Sequence, residues 1–323
     1  MRITIITPCL NRAQFVERAI ESVRAQGTFD VEHIVVDGGS TDGTIEVLKR
    51  HKSVRVISES DSNLYEALNK GIRAASGEIV GLLNADDRLA PGALCAVVEL
   101  FKQRHEVGIV AGAADIVRRD GEREVRRRFD DERLVRLRER NAIAGVTLTN
   151  ARFFRRVVLD SLGNFDERFP IVSDREFMLR ATVADIAVVT TRKVLYEYVA
   201  HSGSLTFACT GRSMVLAEAF LNLAETRLAD PPMPLLFVAF RRWHAWAAGY
   251  LIMLELLRGR LGVAFSRAVR AFGIDRFWLV RFLPVLVMHI FEIRLRRGVL
   301  VNANGDDTRT SLRCADASGI EVT

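Results

Sequence analysis

Cysteine is scarce in this chain, and the few present do not pair by spacing. Cys9, Cys95, Cys209 and Cys314 lie far apart with no CxxC among them. That excludes a zinc ribbon and argues against a disulfide scaffold, and it suits a reducing cytoplasm. Two glycine-rich fingerprints are also missing. No GxxxxGK(S/T) and no GxGxxG occurs, so neither a P-loop nor a dinucleotide turn is present. A clean membrane span is missing too. Leu235 to Leu257 is interrupted by Arg241, Arg242, His244 and Glu255, and Phe277 to Ile293 by Arg281, Pro284, His289 and Glu292. Spanning helices want roughly 20 apolar residues, and a mid-membrane arginine costs about 2.5 to 3.5 kcal/mol on insertion scales. The apolar run after Arg2 ends at Pro8, too short for a signal peptide.

What is present has room for one large domain or two smaller ones in 323 residues. The net charge of +6 is unevenly placed. Residues 1 to 207 are almost balanced, with 31 basic and 30 acidic side chains, whereas residues 208 to 300 hold 13 arginines, no lysine and six acids. Arginine beside apolar surface points to a membrane face more than to a nucleic-acid groove. The expected layout is a first domain over 1–207, a basic amphipathic helical segment over 208–300, and a disordered tail over 301–323.

The first hundred residues alternate strand and helix. Arg2 to Thr7, Val31 to Val36, Val54 to Ser58 and Ile79 to Leu83 read as β-branched or apolar strands. Helical patterns follow each, with Phe15, Ala19 and Val23 on one stripe and Leu64, Leu68 and Ile72 on another. Asn11 with Gln14 predicts a capping box for the first helix. Four such units with short connections predict an α/β fold with a mostly parallel sheet covered on both faces. Ligands bind outside the carboxyl ends of such strands. Thr7, Asp37 and the tip Asn84–Asp87 all fall there and are expected to line one crevice. The adjacent acids Asp86 and Asp87 are costly to desolvate unless a cation sits beside them, and a hard divalent ion is the simplest candidate.

Beyond Val107, strands are expected at Val107–Val110, Ala114–Arg118 and Glu122–Phe129, with a turn at Asp120–Gly121. A further pair is expected at Ile186–Val189 and Val194–Tyr198. Asp174 stands at a helix start, where its anion is favoured. His201 is a candidate metal ligand or phosphate contact in a small polar loop. Trp243, Trp246 and Trp278 are expected at headgroup depth in interfacial helices, the alternative being a helical subdomain packed on the sheet or on a second subunit.

Five stretches carry a resemblance: Thr7-Pro-Cys-Leu-Asn-Arg12, Val35-Val-Asp-Gly-Gly-Ser-Thr-Asp-Gly-Thr44, Asn63-Leu-Tyr-Glu-Ala-Leu-Asn-Lys-Gly-Ile72, Ser76-Gly77 with Leu83-Asn-Ala-Asp-Asp87, and Phe165-Asp-Glu through Asp174. In order and spacing over about residues 1 to 205, the chain resembles the family 2 glycosyltransferases of GT-A fold, in the branch that builds bacterial exopolysaccharide and O-antigen. The resemblance implies a nucleoside-diphosphate sugar donor and a saccharide acceptor, probed by an inverting, Mg²⁺- or Mn²⁺-dependent transfer. It implies contacts to base and ribose from Thr7 and Asp37, and a metal at Asp87 with Asp86 reaching the ribose or the metal; Pro8, Asn11, Gly39, Asn63, Lys70 and Asn84 are the further expected donor contacts, and His201 is the further expected metal ligand. Asp174 matches the catalytic base. The sequence departs from the pattern at Ser173–Asp174, which replaces a paired acid, and at Thr149–Asn150, where many relatives have His-Gln; the second bears on acceptor contacts. With the basic C-terminal segment, the expected setting is the cytoplasmic face of the membrane, acting on a lipid-linked saccharide. Rival expectations are a catalytically silent nucleotide-sugar-binding module and a sugar nucleotidyltransferase. The absence of a basic triphosphate loop speaks against the second.

Overall fold

The structure is a computed structural model and describes residues 1–27, 30–120, 123–130, 137–144, 147–201, 212–230 and 234–284. The tail expected over 301–323 and the apolar stretch after Pro284 lie outside the described residues.

Nine strands form one mixed sheet. They are β1 (Ile3–Cys9), β2 (Val31–Asp37), β3 (Val54–Ser58), β4 (Ile79–Leu82), β5 (Arg88–Leu89), β6 (Ile109–Asp120), β7 (Arg123–Phe129), β8 (Arg152–Arg155) and β9 (Val188–Ala200). Their order is β3-β2-β1-β4-β8-β6-β9-β5, with β7 also paired to β6. The first four are parallel to one another, as the alternation predicts. Strand β1 is buried along its whole length, which is why Ile3, Ile5 and Ile6 need no polar face. Strand β8 runs antiparallel to both β4 and β6, so it joins the parallel half to the rest.

Two expectations on strand breaks are corrected. The stretch expected as two strands around Val107–Arg118 is the single strand β6, and that expected around Ile186–Tyr198 is the single strand β9. They pair in parallel, with register shifts near Ala111 to Ala114. Gly112 lies at the irregularity because β9 passes too close for a side chain: a Cβ there would meet Leu195 Cγ at 2.2 Å. The break in the pattern was a bulge, not a strand end.

Ten α-helices are described: α1 (Val16–Arg24), α2 (Thr44–Arg50), α3 (Leu64–Ala74), α4 (Ala93–Gln103), α5 (Glu139–Ala144), α6 (Arg156–Leu162), α7 (Ser173–Val183), α8 (Arg212–Ala229), α9 (Pro234–Leu257) and α10 (Leu261–Ile274). Helices α1 and α4 cover one face of the sheet through Ala19, Val23, Leu94 and Phe101. Helices α3 and α5 to α7 cover the other, and α8 and α9 close over them in the same apolar cluster. The expected tryptophan belt is not found. Trp243 and Trp246 on α9, with Trp278 beyond α10, are buried in that cluster. The arginines that interrupt the run are paired, Arg241 with Asp275 at 2.7 Å and Arg242 with Glu139 at 2.9 Å. Among the described residues no helix is long and apolar enough to cross a membrane.

Candidate active site

The carboxyl ends of β1, β2 and β4 open on one side of the sheet. Cys9 and Asp37 are register partners at the ends of β1 and β2, which sets the two following loops side by side. Asn11, in a left-handed conformation, ties those loops together. Its side-chain oxygen accepts from Thr41 N at 2.9 Å, and its own N–H donates to Ser40 Oγ at 2.8 Å. The capping box predicted for Asn11 is therefore corrected: α1 starts after Phe15 with no side-chain cap. The residue stabilises a loop pair instead.

Asp37 is fully buried. Its Oδ2 accepts from Gly39 N at 3.1 Å, Ser40 N at 3.2 Å and Ser58 Oγ at 3.0 Å. Its Oδ1 is buried without a hydrogen-bond partner. A carboxylate oxygen in that state is an acceptor held for a donor group. Gly39 makes its bond at φ +91°, where a side chain would be strained. Thr7 is buried one strand over, its hydroxyl 2.9 Å from His33 Nε2, while Pro8 pairs with Val36. Burial pushes His33 down to about 4 and keeps its imidazole neutral.

Two predicted donor residues are already engaged. Asn63 caps α3, accepting from Tyr65 N and Glu66 N. Lys70 is held by Asp61, by Glu66 at 3.2 Å and by Ser60 O at 2.8 Å. Asp61 in turn lies against Gly38, so Lys70 reaches the crevice rim only through its partner.

At the tip of β4 the two acids differ sharply. Asp87 is buried with both oxygens occupied: Oδ1 accepts from Val199 N at 2.8 Å, and Oδ2 from the Tyr196 hydroxyl at 2.7 Å and Asn84 Nδ2 at 3.0 Å. Burial, with Asp86 beside it, pushes its carboxyl up to about 7 against the pull of those bonds. Asp86 is more open. Its Oδ2 is 3.1 Å from His201 Nε2 and 3.8 Å from Arg12 Nε. His201, just past the end of β9, stacks on Phe15 at 4.5 Å. Among the described residues no group of three or more His, Cys, Asp or Glu is arranged around a metal.

Asp174 lies in the first turn of α7, half-buried. Its Oδ1 accepts from the Tyr65 hydroxyl at 3.0 Å and its Oδ2 from Thr149 Oγ1 at 3.1 Å. Burial and the neighbouring Asp174 hold the Tyr65 phenol well above its ordinary range, so it remains a donor. The next residue along, Asn150, donates from Nδ2 to the Tyr196 hydroxyl at 3.2 Å. One short 3-10 turn, Thr149–Ala151, thus touches Asp174 directly and Asp87 through Tyr196. This is where the two acidic motifs meet. Tyr65 and Tyr196 carry the junction, and sequence reasoning passed over both. The signal for Tyr196 was its place beside Tyr198 on a strand, since a buried phenol needs a partner for its hydroxyl.

The glycosyl transferase family 2 model matches residues 4–163. A PGL/p-HBAD biosynthesis glycosyltransferase of Mycobacterium bovis is 29% identical over 264 residues, covering 80% of this chain and 96% of that protein. An uncharacterized glycosyltransferase of Mycobacterium tuberculosis is 32% identical over 211 residues, covering 61% of this chain and 74% of its own length. Among solved structures, S. aureus TarS 1-349 in complex with UDP-GlcNAc aligns with a TM-score of 0.60 at 16% identity, over 88% of this chain and 89% of that one. The mannosyltransferase PcManGT from Pyrobaculum calidifontis, in complex with GDP-Man and Mn²⁺, aligns with a TM-score of 0.53 at 21% identity, over 89% and 86%. At these identities the likeness is one of fold, which is GT-A.

Proposed function

The chain belongs to glycosyl transferase family 2, and from that premise we propose an inverting, divalent-metal-dependent transfer of a sugar from a nucleoside diphosphate to a saccharide acceptor. We take the acceptor to be lipid-linked, in bacterial surface polysaccharide synthesis, with the enzyme peripheral on the inner face of the cell membrane. The nucleotide sugars bound by TarS and PcManGT support the donor class.

The observation that carries the reading is the Thr149–Asn150 turn, which bonds to Asp174 directly and to Asp87 through Tyr196. Transfer with inversion needs a base for the acceptor hydroxyl and a pole for the departing diphosphate. In this reading Asp174 takes the hydroxyl proton as the acceptor oxygen bonds to the anomeric carbon. The bond from that carbon to the diphosphate oxygen breaks, and the nucleoside diphosphate leaves with the electron pair. Asp37 Oδ1 receives a donor group of the nucleotide. Asn63 and Lys70 keep their capping and ion-pair roles and act on the donor only by holding the rim.

The residues fit a divalent ion in a revised form. Asp86 would be the open ligand with His201 beside it, while Asp87, held at Oδ2 by Tyr196 and Asn84, would have only Oδ1, which accepts one bond from Val199 N, left to offer. Two protein ligands suffice where substrate phosphate supplies the rest, as is usual for Mg²⁺. When bound, the ion supplies Lewis acidity at the diphosphate.

The test is a panel of UDP- and GDP-sugars with Mn²⁺, read by thermal shift and by donor consumption. Asp174→Asn should lower transfer by about a thousandfold or more while the donor still shifts melting. Asp86→Asn should lose the donor shift itself. Unaltered transfer in Asp174→Asn would remove the base assignment.

A further inference from the structure

Helix α10 is built inside out. Its small residues Ala264, Ala268 and Ala271 face α9, while its large apolar residues point away from the protein. Leu261, Phe265, Val269 and Phe272 recur at i, i+4, i+8 and i+11, which puts them on one stripe. They are 68%, 72%, 55% and 62% exposed. Past the helix end, Phe277 and Val280 are also more than half exposed. Monomeric proteins seldom leave so many large apolar side chains contiguous in water without a partner.

A hollow of about 490 Å³ opens at the end of the stripe, lined by Arg241, Phe272, Gly273, Ile274 and Arg276. Asp275, buried beneath it, pairs with Arg241 and with Arg281. One acid between two guanidiniums leaves a positive excess, and Arg276 adds to it. Over residues 234 to 284 there are eight arginines and two acids; Glu139, Glu218 and Glu225 from other elements pair Arg242, Arg267 and Arg270, which leaves three more guanidiniums than acids.

We infer that α10 and the turn after it form the docking face for an anionic phospholipid membrane: the stripe enters the interface, and the hollow takes a headgroup phosphate. The charge decides among occupants. A second copy would set one arginine-rich face against another, and the apolar residues 285–300 also carry more arginine than acid. An anionic lipid surface complements both the apolar stripe and the charge. This deepens the peripheral location proposed above. Vesicle binding is read without donor or acceptor, so its failure and a failure of the transfer chemistry are told apart.

The experiment is co-sedimentation of the full chain with vesicles of phosphatidylcholine mixed with phosphatidylglycerol, and with phosphatidylcholine alone. Binding is expected on the mixed vesicles and to be at least about tenfold weaker on the neutral ones. The double variant Phe265→Ser/Phe272→Ser should bind the mixed vesicles about tenfold less or worse. Arg276→Glu, which leaves the apolar stripe intact, should also weaken binding and reduce its salt sensitivity. A melting transition like that of the unsubstituted chain shows that each variant is folded. Added inorganic phosphate is expected to release little protein, because it replaces the headgroup and not the apolar contact. Absence of binding to the mixed vesicles overturns the inference. So does binding that both variants leave unchanged, or a dimer in solution that the phenylalanine substitutions dissolve while vesicles bind nothing.

Discussion

Asp174 receives its two hydroxyl donors from two different elements, Tyr65 on α3 and Thr149 on the 3-10 turn. Together they fix both oxygens of the proposed base and leave its remaining lone pairs for an acceptor. A base that works through geometry is sensitive to such positioning. Tyr65→Phe and Thr149→Val should each lower kcat by about tenfold, with KM for donor little changed. A loss confined to stability, with kcat unchanged, would make the two hydroxyls merely structural. His33 gives a second prediction, on stability. Its folded pKa of about 4 lies below the ordinary 6.5 because the ring is buried, with His51 adding to the effect. Between those values the unfolded chain takes up a proton that the folded chain refuses. Stability is therefore whole above the ordinary imidazole value and falls as pH drops through that window, by up to about 3 kcal/mol. His33→Gln should flatten that dependence, which urea unfolding at about pH 5 and about pH 7.5 will measure.

At the scale of elements, the parallel half was legible because its strands and helices keep strict periods. The alternation placed β1 to β4 and α1 to α4, and it aligned Thr7, Asp37 and Asn84–Asp87 at the strand ends. The other half was harder to read because β6 and β9 are long strands interrupted by irregular pairing at Gly112. Local pattern cannot distinguish that from a strand end. Gly112→Ala would push a methyl into Leu195 and toward Lys193 O. The expected cost is about 1 to 3 kcal/mol, seen as a lower urea midpoint. Helix α9 misled for another reason. It is apolar on most sides, and its arginines find acids only in tertiary structure, Arg241 on Asp275 and Arg242 on Glu139. The site divides in the same way. Carboxylates at strand tips announce themselves in sequence. How far Asp86 or Asp87 is open to a ligand depends on Tyr196 and Val199, more than a hundred residues away.

For the whole molecule, the strand order joins regions that the motifs present as separate. Every strand that lines the nucleotide side comes from the first 82 residues. The far edge of β4, however, is covered only by β8, which begins at Arg152. On the ribosome, β4 must therefore wait for a partner about seventy residues downstream, with a fully apolar strand whose backbone hydrogen bonds are unmet on that side. Nascent chains halted in that interval would carry the adhesive edge, and a gene fragment ending after α4 would inherit it permanently. The nucleotide half on its own would therefore leave one side of β4 unpaired. The turn that opens the strand completing it, Thr149–Ala151, also holds Asp174, the proposed base.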